Sequence, residues 1–416
     1  MVSVSFTVRC LTLLLDWYLT SMLLLQHHKK MKILFSGLEV TNIERGCESG
    51  MPGQEQLQKE VMDSDLCSSC GICVGLCPYI KTVRDRVKVI YPCGHEDGTC
   101  YRVCPKTPTN IGNMDRAVFG REREDQALGL FSGIYYARAL TGKPGGAQYG
   151  GTTSALTGLA LREGLISSAV LTGGDIKSPR PVLARDADTV ERCAGSKYTG
   201  VPSLLELNRA IRDGLTDIGV VGRPCQVVAV RKSRQGNLPG PQYPSSSGIG
   251  LVLGLFCFWS LAPELYGFLQ RETGGEEIVK MDIPVEGPVA YTRTGKFSWQ
   301  LDDIRTFIKK SCNTCFDSTS EYADISVGST EHDPAWNTLI IRTGKGLDIF
   351  NLALQKGVIE VREYPPERLP LLRRAALGKK MRVLSLLEKD LGNTGYITLP
   401  EKYRRDLETQ WGGINQ

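Results

Sequence analysis

Alternating strand-like and helix-like patterns run through the centre of the chain. Short apolar runs that end near glycine, proline or cysteine predict buried strands at Ser168–Thr172, Asp217–Val221 and Ile249–Phe258. Apolar residues at three- and four-residue spacing predict helices over Ala155–Glu163, Ser203–Asp213, Val227–Lys232 and Ala262–Arg271. Strand–turn–helix units in this order indicate a parallel or mixed sheet with helices on its faces.

The segments on either side of this central part have other patterns. Ile278–Trp299 predicts strands joined by turns, Ile304–Lys310 a short helix, and the tail from Tyr364 a basic helix. The tail carries a cluster of basic residues, namely Arg373, Arg374, Lys379, Lys380 and Arg382. Such a run is typical of a solvated helix face, and docking of an acidic redox partner is the alternative.

Residues 61–110 have few periodic segments and are rich in cysteine, with Val87–Ile90 as a short predicted strand. Four cysteines, Cys67, Cys70, Cys73 and Cys77, stand at two-, two- and three-residue gaps, and Pro78 follows. This is the spacing of the bacterial-ferredoxin iron–sulfur run, in which the fourth cysteine serves a different cluster. A structural zinc knuckle is the alternative, but it needs two separated cysteine pairs.

A second cysteine group follows at Cys93, Cys100 and Cys104. Cys104 and its proline repeat the end of the ferredoxin run, whereas Asp97 stands where a further ligand is expected. Two 4Fe-4S clusters are therefore predicted, with Cys77 in the second and Cys104 in the first. The fourth ligand of the second cluster is Asp97, another cysteine or absent, and the sequence does not choose among these. The alternative to two clusters is a single cluster held by the first cysteine run.

Composition narrows the class of protein. The 416 residues include 14 cysteines, and their clustering favours metal ligation in a reducing, cytoplasmic compartment over disulfides. A net charge of +5, without aromatic residues interleaved among basic ones, argues against nucleic-acid binding. The apolar run Leu11–Leu25 is short for a membrane span and contains Asp16. We expect translation to start at Met31 or Met51, with a peripheral membrane helix as the alternative.

Three features of the central part carry candidate chemistry. Gly150, Gly151, Thr152, Thr153 and Ser154 form a glycine–hydroxyl turn before a predicted helix, which suits an anion, although such a glycine pair is more often an ordinary turn and helix cap. Cys225 and Cys257 fall near the carboxyl ends of predicted strands, where ligands bind in such sheets, although a cysteine there is most often a small buried apolar residue. The lone pair Cys312 and Cys315 fits a redox pair, half of a zinc site or a buried turn.

The order of these motifs resembles the family of coenzyme F420 hydrogenase/dehydrogenase beta subunits over about residues 60–360. The resemblance rests on the two cysteine groups, the Gly150–Ser154 turn, and a series of short motifs that follow them. These are Ser178–Ala184, Gly195–Tyr198, Val221–Gln226, Gly254–Cys257, Cys312–Asp317 and Ala323–Gly328. The resemblance implies an α+β protein with an N-terminal ferredoxin-like 4Fe-4S module followed by an α/β flavin-binding domain with a mixed sheet.

The resemblance also implies FAD, which joins one-electron clusters to a two-electron substrate, coenzyme F420 in the namesake members. We expect Gly150–Ser154 together with Ser196, Lys197 and Tyr198 to bind the flavin, and Arg223 and Cys225 to act near its reactive ring. Ferredoxin or hydrogenase/dehydrogenase subunits are the expected electron partners. Whether the chain also forms a homo-oligomer is not decided by the sequence. A ferredoxin-dependent reductase of another substrate and a non-catalytic electron-relay subunit are the alternatives.

The expected organisation has four parts. Residues 1–60 form a leader, 61–110 the ferredoxin-like domain, and 111–260 and 261–416 the two parts of the oxidoreductase domain.

Overall fold

The computed structural model describes residues 53–83, 86–140, 147–235, 248–284, 286–389 and 396–414. All of them belong to one unit, Gly50–Gln416. The apolar run Leu11–Leu25 and the candidate start sites Met31 and Met51 lie outside the described residues. Among the helices of the described ranges, none combines the length and the apolar character that crossing a bilayer requires.

The strands are short and spread along the whole described chain. In order they are β1 (Ile80–Val83), β2 (Arg86–Val89), β3 (Thr109–Asn110), β4 (Gly133–Ala139), β5 (Ser168–Gly173), β6 (Arg180–Ala184), β7 (Ile218–Gly222), β8 (Ile249–Leu255), β9 (Ile278–Asp282), β10 (Val289–Thr292), β11 (Lys296–Ser298), β12 (Ile325–Ser329), β13 (Asn337–Ile341), β14 (Ile359–Glu363) and β15 (Ile397–Thr398).

The helices alternate with these strands. In order they are α1 (Gln54–Leu57, continued by a π-helical turn Gln58–Met62), α2 (Thr99–Arg102), α3 (Ile111–Phe119), α4 (Thr152–Arg162), α5 (Ala187–Arg192), α6 (Leu204–Arg212), α7 (Pro224–Gln235), α8 (Glu264–Glu272), α9 (Leu301–Arg305), α10 (Lys310–Asn313), α11 (Gly344–Gln355), α12 (Leu369–Lys389, preceded by a 3-10 turn Pro366–Arg368) and α13 (Glu401–Ile414).

One large sheet organises the molecule, with strand order β14-β4-β13-β12-β8-β7-β5-β6. Its central strands β12, β8, β7 and β5 are parallel, and the remaining neighbours are antiparallel. The predicted α+β architecture with a mixed sheet is therefore confirmed. Smaller sheets are the hairpin β1-β2, the meander β9-β10-β11 and the parallel pair β3-β15.

The large sheet is covered on both faces. Leu156 and Leu159 of α4 and Phe350 of α11 bury one face, as the spacing of apolar residues in α4 predicts. On the other face, α6 and α7 join a core that also contains Ile72 and Val103 from the cysteine-rich segment. The cysteine-rich segment thus packs directly on the α6 and α7 side of the sheet.

Two sequence-based expectations differ from the structure. The helix predicted over Ile304–Lys310 is wrong, because Ile308 pairs with Leu261 in an extended bridge between α9 and α10. The basic cluster of α12 is not a uniformly solvated face, because Lys379 and Lys380 are buried. The Lys379 ammonium donates to the carbonyls of Cys257 and Asp317, which replace the water it gives up.

Candidate functional site

Two cysteine segments converge into a thiol cluster beside α6. The first segment bends through left-handed residues, with φ of 53° at Ser69 and 90° at Gly71. The Leu204 amide at the start of α6 donates to the Cys70 carbonyl, and the Asn208 amide group donates to the Ile72 and Val74 carbonyls. The second segment is tied down by Lys232 of α7, whose ammonium donates to the Cys104 carbonyl at 2.8 Å.

The seven thiols of these segments form two groups, within which their larger mutual charge effects lie, and a smaller effect of Cys100 on Cys73 connects the groups. In the inner thiol group, burial raises the pKa of Cys70 and Cys73 well above the usual value, and neighbouring thiolates raise it further. Burial likewise raises the pKa of Cys104 to about 12, with a further rise from the Cys67 thiolate. The inner thiol group consists of Cys67, Cys70, Cys73 and Cys104.

The outer thiol group consists of Cys77, Cys93 and Cys100. Burial raises the pKa of Cys100 to about 11, and the nearby thiolates of Cys77 and Cys93 contribute next. Cys77 and Cys93 are only half-buried, so this group lies nearer the surface than the inner one. The carboxylate of Asp97 lies 3.4 Å from the Arg102 guanidinium. This ion pair competes with iron for the carboxylate and so disfavours Asp97 as a cluster ligand.

The thiols of both groups are the ligand type that iron–sulfur clusters and zinc ions both use. A zinc ion draws its sulfur ligands to about 2.3 Å from one centre. In the part of the chain that the structure describes, no three His, Cys, Asp or Glu side chains are arranged closely enough to hold one ion. A cluster spreads its thiolates over separate iron atoms, and its positive iron offsets the cost of burying them.

Gly71 is a position where only glycine fits. A β-carbon on Gly71 would stand 2.4 Å from the Pro202 carbonyl oxygen, whereas one on Gly75 would meet only side-chain atoms, first the mobile Arg212 guanidinium at 2.9 Å. Both glycines have positive φ, so an alanine at either position incurs the same free-energy cost for its backbone conformation. We expect Gly71→Ala to lose about four iron atoms per chain and Gly75→Ala to keep them, as measured by iron analysis. Equal iron contents would contradict this packing argument.

A third set of thiols, the central thiol group, lies in the body of the protein. It consists of Cys225 at the start of α7, Cys257 after β8, Cys312 in α10, and Cys315. Burial raises the pKa of Cys257 to about 12, with contributions from the Cys312 and Cys225 thiolates. Burial also raises the pKa of Cys312, followed by the effect of Cys315.

The central thiol group was not predicted as a unit, because its members lie far apart along the chain. Cys312 and Cys315 have no second cysteine pair nearby in sequence. The parallel neighbours β7 and β8 provide it, because Cys225 and Cys257 lie two to three residues beyond their ends. The strand-end position of both cysteines was the available signal.

Two cations join the inner and central thiol groups. The Lys309 ammonium donates to the Ser69 hydroxyl at 3.0 Å, which places the segment before Cys312 against the first cysteine loop. Burial disfavours the charge of Arg223, yet the surrounding thiolates of Cys225, Cys257, Cys312 and Cys70 raise its pKa above the usual value. Arg223 therefore faces thiols of both groups.

The two segments predicted to bind flavin are brought together by Gln148, a residue that belongs to none of the sequence motifs. The Gln148 side chain accepts from the Ser196 amide at 3.0 Å and approaches the Tyr198 hydroxyl at 3.5 Å. Two residues later, Gly150 begins the turn into α4. In that turn the Thr152 hydroxyl donates to the Ala137 carbonyl, so Thr152 supports the backbone, while Thr153 and Ser154 are half-buried.

Lys197 is half-buried beside this junction. Its ammonium donates to the carbonyls of Ala194 and Gly195 at 3.1 Å each, and burial lowers its pKa. The Cys193 thiolate and the Asp175 carboxylate act on this partly desolvated cation, but among the described residues no carboxylate forms a salt bridge with it, which suits an anionic ligand.

The flavin candidate Tyr198 is linked to the central thiol group through Ser260. The Ser260 hydroxyl donates to the Tyr198 carbonyl at 3.1 Å, and the Ser260 amide donates to the Cys312 sulfur at 3.1 Å. Cys100 of the outer group acts on Cys73 of the inner group, and Cys225 of the central group acts on Cys70. The three thiol groups and Tyr198 are therefore successive neighbours in the fold.

Comparison with known proteins points to one family. Two models of the coenzyme F420 hydrogenase/dehydrogenase beta subunit match, the N-terminal one at residues 134–208 and the C-terminal one at residues 215–367. The central thiol group lies within these matches, whereas the inner and outer groups precede them.

Individual relatives agree with that match. The chain is 31% identical to coenzyme F420 hydrogenase subunit beta of Methanothermobacter thermautotrophicus, over 62% of this chain and 92% of the relative. It is 30% identical to one subunit of the F(420)H(2) dehydrogenase of Methanosarcina mazei, over 75% and 89%. A chain of the F420-reducing NiFe hydrogenase complex from Methanosarcina barkeri superposes with a TM-score of 0.61 and 29% identity, covering 67% of this chain and 99% of that chain.

Proposed function

Because the chain belongs to the family of coenzyme F420 hydrogenase/dehydrogenase beta subunits, we propose that it is an iron–sulfur flavoprotein that exchanges electrons with coenzyme F420. Its relatives are subunits of F420-linked redox enzymes, which supports an oxidoreductase. The observation that carries the proposal is the unbroken succession of thiol groups that ends, through Ser260, at Tyr198.

Each thiol group would hold one 4Fe-4S cluster. The inner and central groups provide four thiols each, and the outer group provides three. This arrangement favours a ligand role for Cys225 over the catalytic role that the sequence suggested. Arg223, between two thiol groups, would stabilise their negative charge and so favour the reduced clusters.

The Gly150–Ser154 turn and Ser196–Tyr198 would hold FAD. The first amides of α4 attract phosphate, and Lys197 adds a cation at the neighbouring segment. Bound FAD would supply the change between the two-electron chemistry of F420 and the one-electron chemistry of the clusters. The protein's own part is to orient the flavin at the end of the thiol succession.

Anaerobically purified protein tests the proposal directly. We expect about twelve iron atoms per chain, stoichiometric flavin, and reduction of viologen dye by reduced F420. Clusters without flavin would instead indicate a relay role, and flavin without F420 turnover another substrate. Iron near zero would contradict the proposal altogether.

Cys312→Ser tests the central group within this scheme. We expect reduced F420 still to bleach the flavin absorbance, because the flavin segments remain intact. Reduction of the inner and outer clusters, followed by freeze-quench electron paramagnetic resonance, should slow by about a hundredfold. Cys193→Ser, at a half-buried cysteine outside the three thiol groups, is the matched control and should behave as the wild type. Normal cluster reduction in Cys312→Ser would show that the central group does not carry electrons.

A further inference from the structure

The hairpin β1-β2 presents one face to the core and the other to solvent. Ile80 and Val87 point inward and are almost fully buried. Successive side chains of a strand alternate between faces, so their neighbours form the outer face. The outer face consists of Tyr79, Lys81, Val83, Arg86, Lys88 and Ile90, all of them exposed.

Large apolar side chains are concentrated on and beside this face. Val83 is 49% exposed and Ile90 is 58% exposed, and the adjoining Tyr91 is 63% exposed. The Tyr79 and Tyr91 rings lie with centroids 5.4 Å apart, and the Ile90 amide donates to the Tyr79 carbonyl at 2.8 Å, so these three residues form one patch at the base of the hairpin. Contiguous exposed apolar surface rimmed by polar groups is typical of a protein interaction site.

The charges of this face are all positive among the described residues. Lys81 stands directly opposite Lys88 in the hairpin register, and Arg86 opposite Val83. Like charges at opposed positions destabilise a hairpin. Within the described residues, no carboxylate forms an ion pair with Lys81, Arg86 or Lys88. The described residues of this face are therefore positively charged, and an acidic surface would complement them.

The outer face borders the outer thiol group through Gln54. This buried side chain donates to the Tyr91 carbonyl at 3.2 Å and approaches the Cys77 sulfur at 3.7 Å. It also accepts from the Cys93 amide at 2.9 Å. The end of the hairpin and two cysteines of the outer thiol group thus share one buried contact.

We propose that the outer face of the β1-β2 hairpin is the docking surface for a small acidic one-electron carrier protein. The inference rests on the proposed function, because it assumes a cluster at the outer thiol group. Docking there would place the carrier beside the outer thiol group, whose Cys77 and Cys93 are half-buried. One electron would pass between the carrier and this cluster, one oxidised as the other is reduced, with no bond made or broken.

A charge-reversal variant tests the docking surface. The probe is an acidic ferredoxin with two 4Fe-4S clusters, and the full anaerobically purified chain is used. We expect the wild type to bind the probe at low salt, and Lys81→Glu with Lys88→Glu to weaken binding at least about tenfold. In the double variant, residues 81 and 88 still carry like charges opposite each other. The substitution therefore changes the sign of the charge on the face but keeps the repulsion between the two strands.

The controls separate docking from folding and from catalysis. Lys345→Glu with Lys402→Glu makes the same charge change at exposed sites elsewhere and should bind as the wild type. The proposal would be overturned if both double variants weakened probe binding equally, or if binding to the wild type did not depend on salt concentration. Ile90→Ser should weaken binding at high salt as well, because it removes apolar contact.

Viologen reduction by reduced F420 is measured in parallel and should be unchanged in the hairpin variants. If the wild type binds the ferredoxin probe in a salt-dependent way but does not reduce viologen with reduced F420, the proposed function is contradicted and the docking surface is retained. Turnover without wild-type binding would contradict the docking surface alone.

Discussion

Cys104→Ser is expected to prevent assembly of the inner cluster and to slow reduction of the outer cluster by reduced F420 about a hundredfold or more. Cys104 comes from the second cysteine segment, but its thiol interacts with Cys67 of the first. The inner group lies between the outer and central groups, so its loss interrupts the succession. Freeze-quench electron paramagnetic resonance of the outer cluster measures the effect.

Cys77→Ser is the counterpart that distinguishes crossed from sequential ligation. In the crossed arrangement it removes the outer cluster and leaves the inner one, because Cys77 interacts with Cys100. We expect reduced F420 to reduce the inner cluster of this variant at the wild-type rate. If Cys77→Ser instead lost the inner cluster and Cys104→Ser kept it, each cysteine run would serve its own cluster.

A buried ionic network supports the loop that carries the central cysteines. The Glu321 carboxylate contacts the Arg123 guanidinium and lies 2.6 Å from the Lys380 ammonium, and Arg123 also pairs with Asp115. All four side chains are at most 2% exposed. Glu321 lies a few residues beyond Cys315, and its amide donates to the Asp317 carboxylate at 2.7 Å. The network thereby braces the segment after α10.

Glu321→Gln is expected to destabilise the protein by about 3–5 kcal/mol, because it leaves two buried cations with one carboxylate fewer. Anaerobic denaturant unfolding followed by tryptophan fluorescence measures the loss, and Glu272→Gln on the exposed surface of α8 is the control. A difference below about 1 kcal/mol between the two variants would contradict the assigned role.

The pH dependence of this contribution follows from the direction of the pKa shift. Burial tends to raise the pKa of Glu321, but the charges of Lys380 and Arg123 lower it overall, below the ordinary 4.5. A lowered pKa in the folded state means that the stabilisation is complete above the ordinary value and is lost only in stronger acid. We therefore expect the difference between wild type and Glu321→Gln to stay constant at neutral pH and to shrink below about pH 4.

Local pattern was sufficient for much of the fold. The helix α4 and the strands β5, β7 and β8 lie within a few residues of their predicted bounds, because their apolar periodicity matches the faces they bury. Strand β4 was not predicted, although it pairs with both β13 and β14. Its half-buried sequence carries little alternation, and its place is set by its neighbours in the sheet.

The sequence by itself determined the cysteine spacing and the family, because both are properties of residue order. The tertiary structure decided which thiols lie together. It joined Cys225 and Cys257 to the pair Cys312 and Cys315 and buried Lys379 and Lys380 of α12, whereas the interaction of Cys104 with the first cysteine run follows the crossover that the cysteine spacing predicts. These groupings depend on parallel strands ending at one edge and on segments far apart in sequence packing on one helix face, which no local pattern specifies.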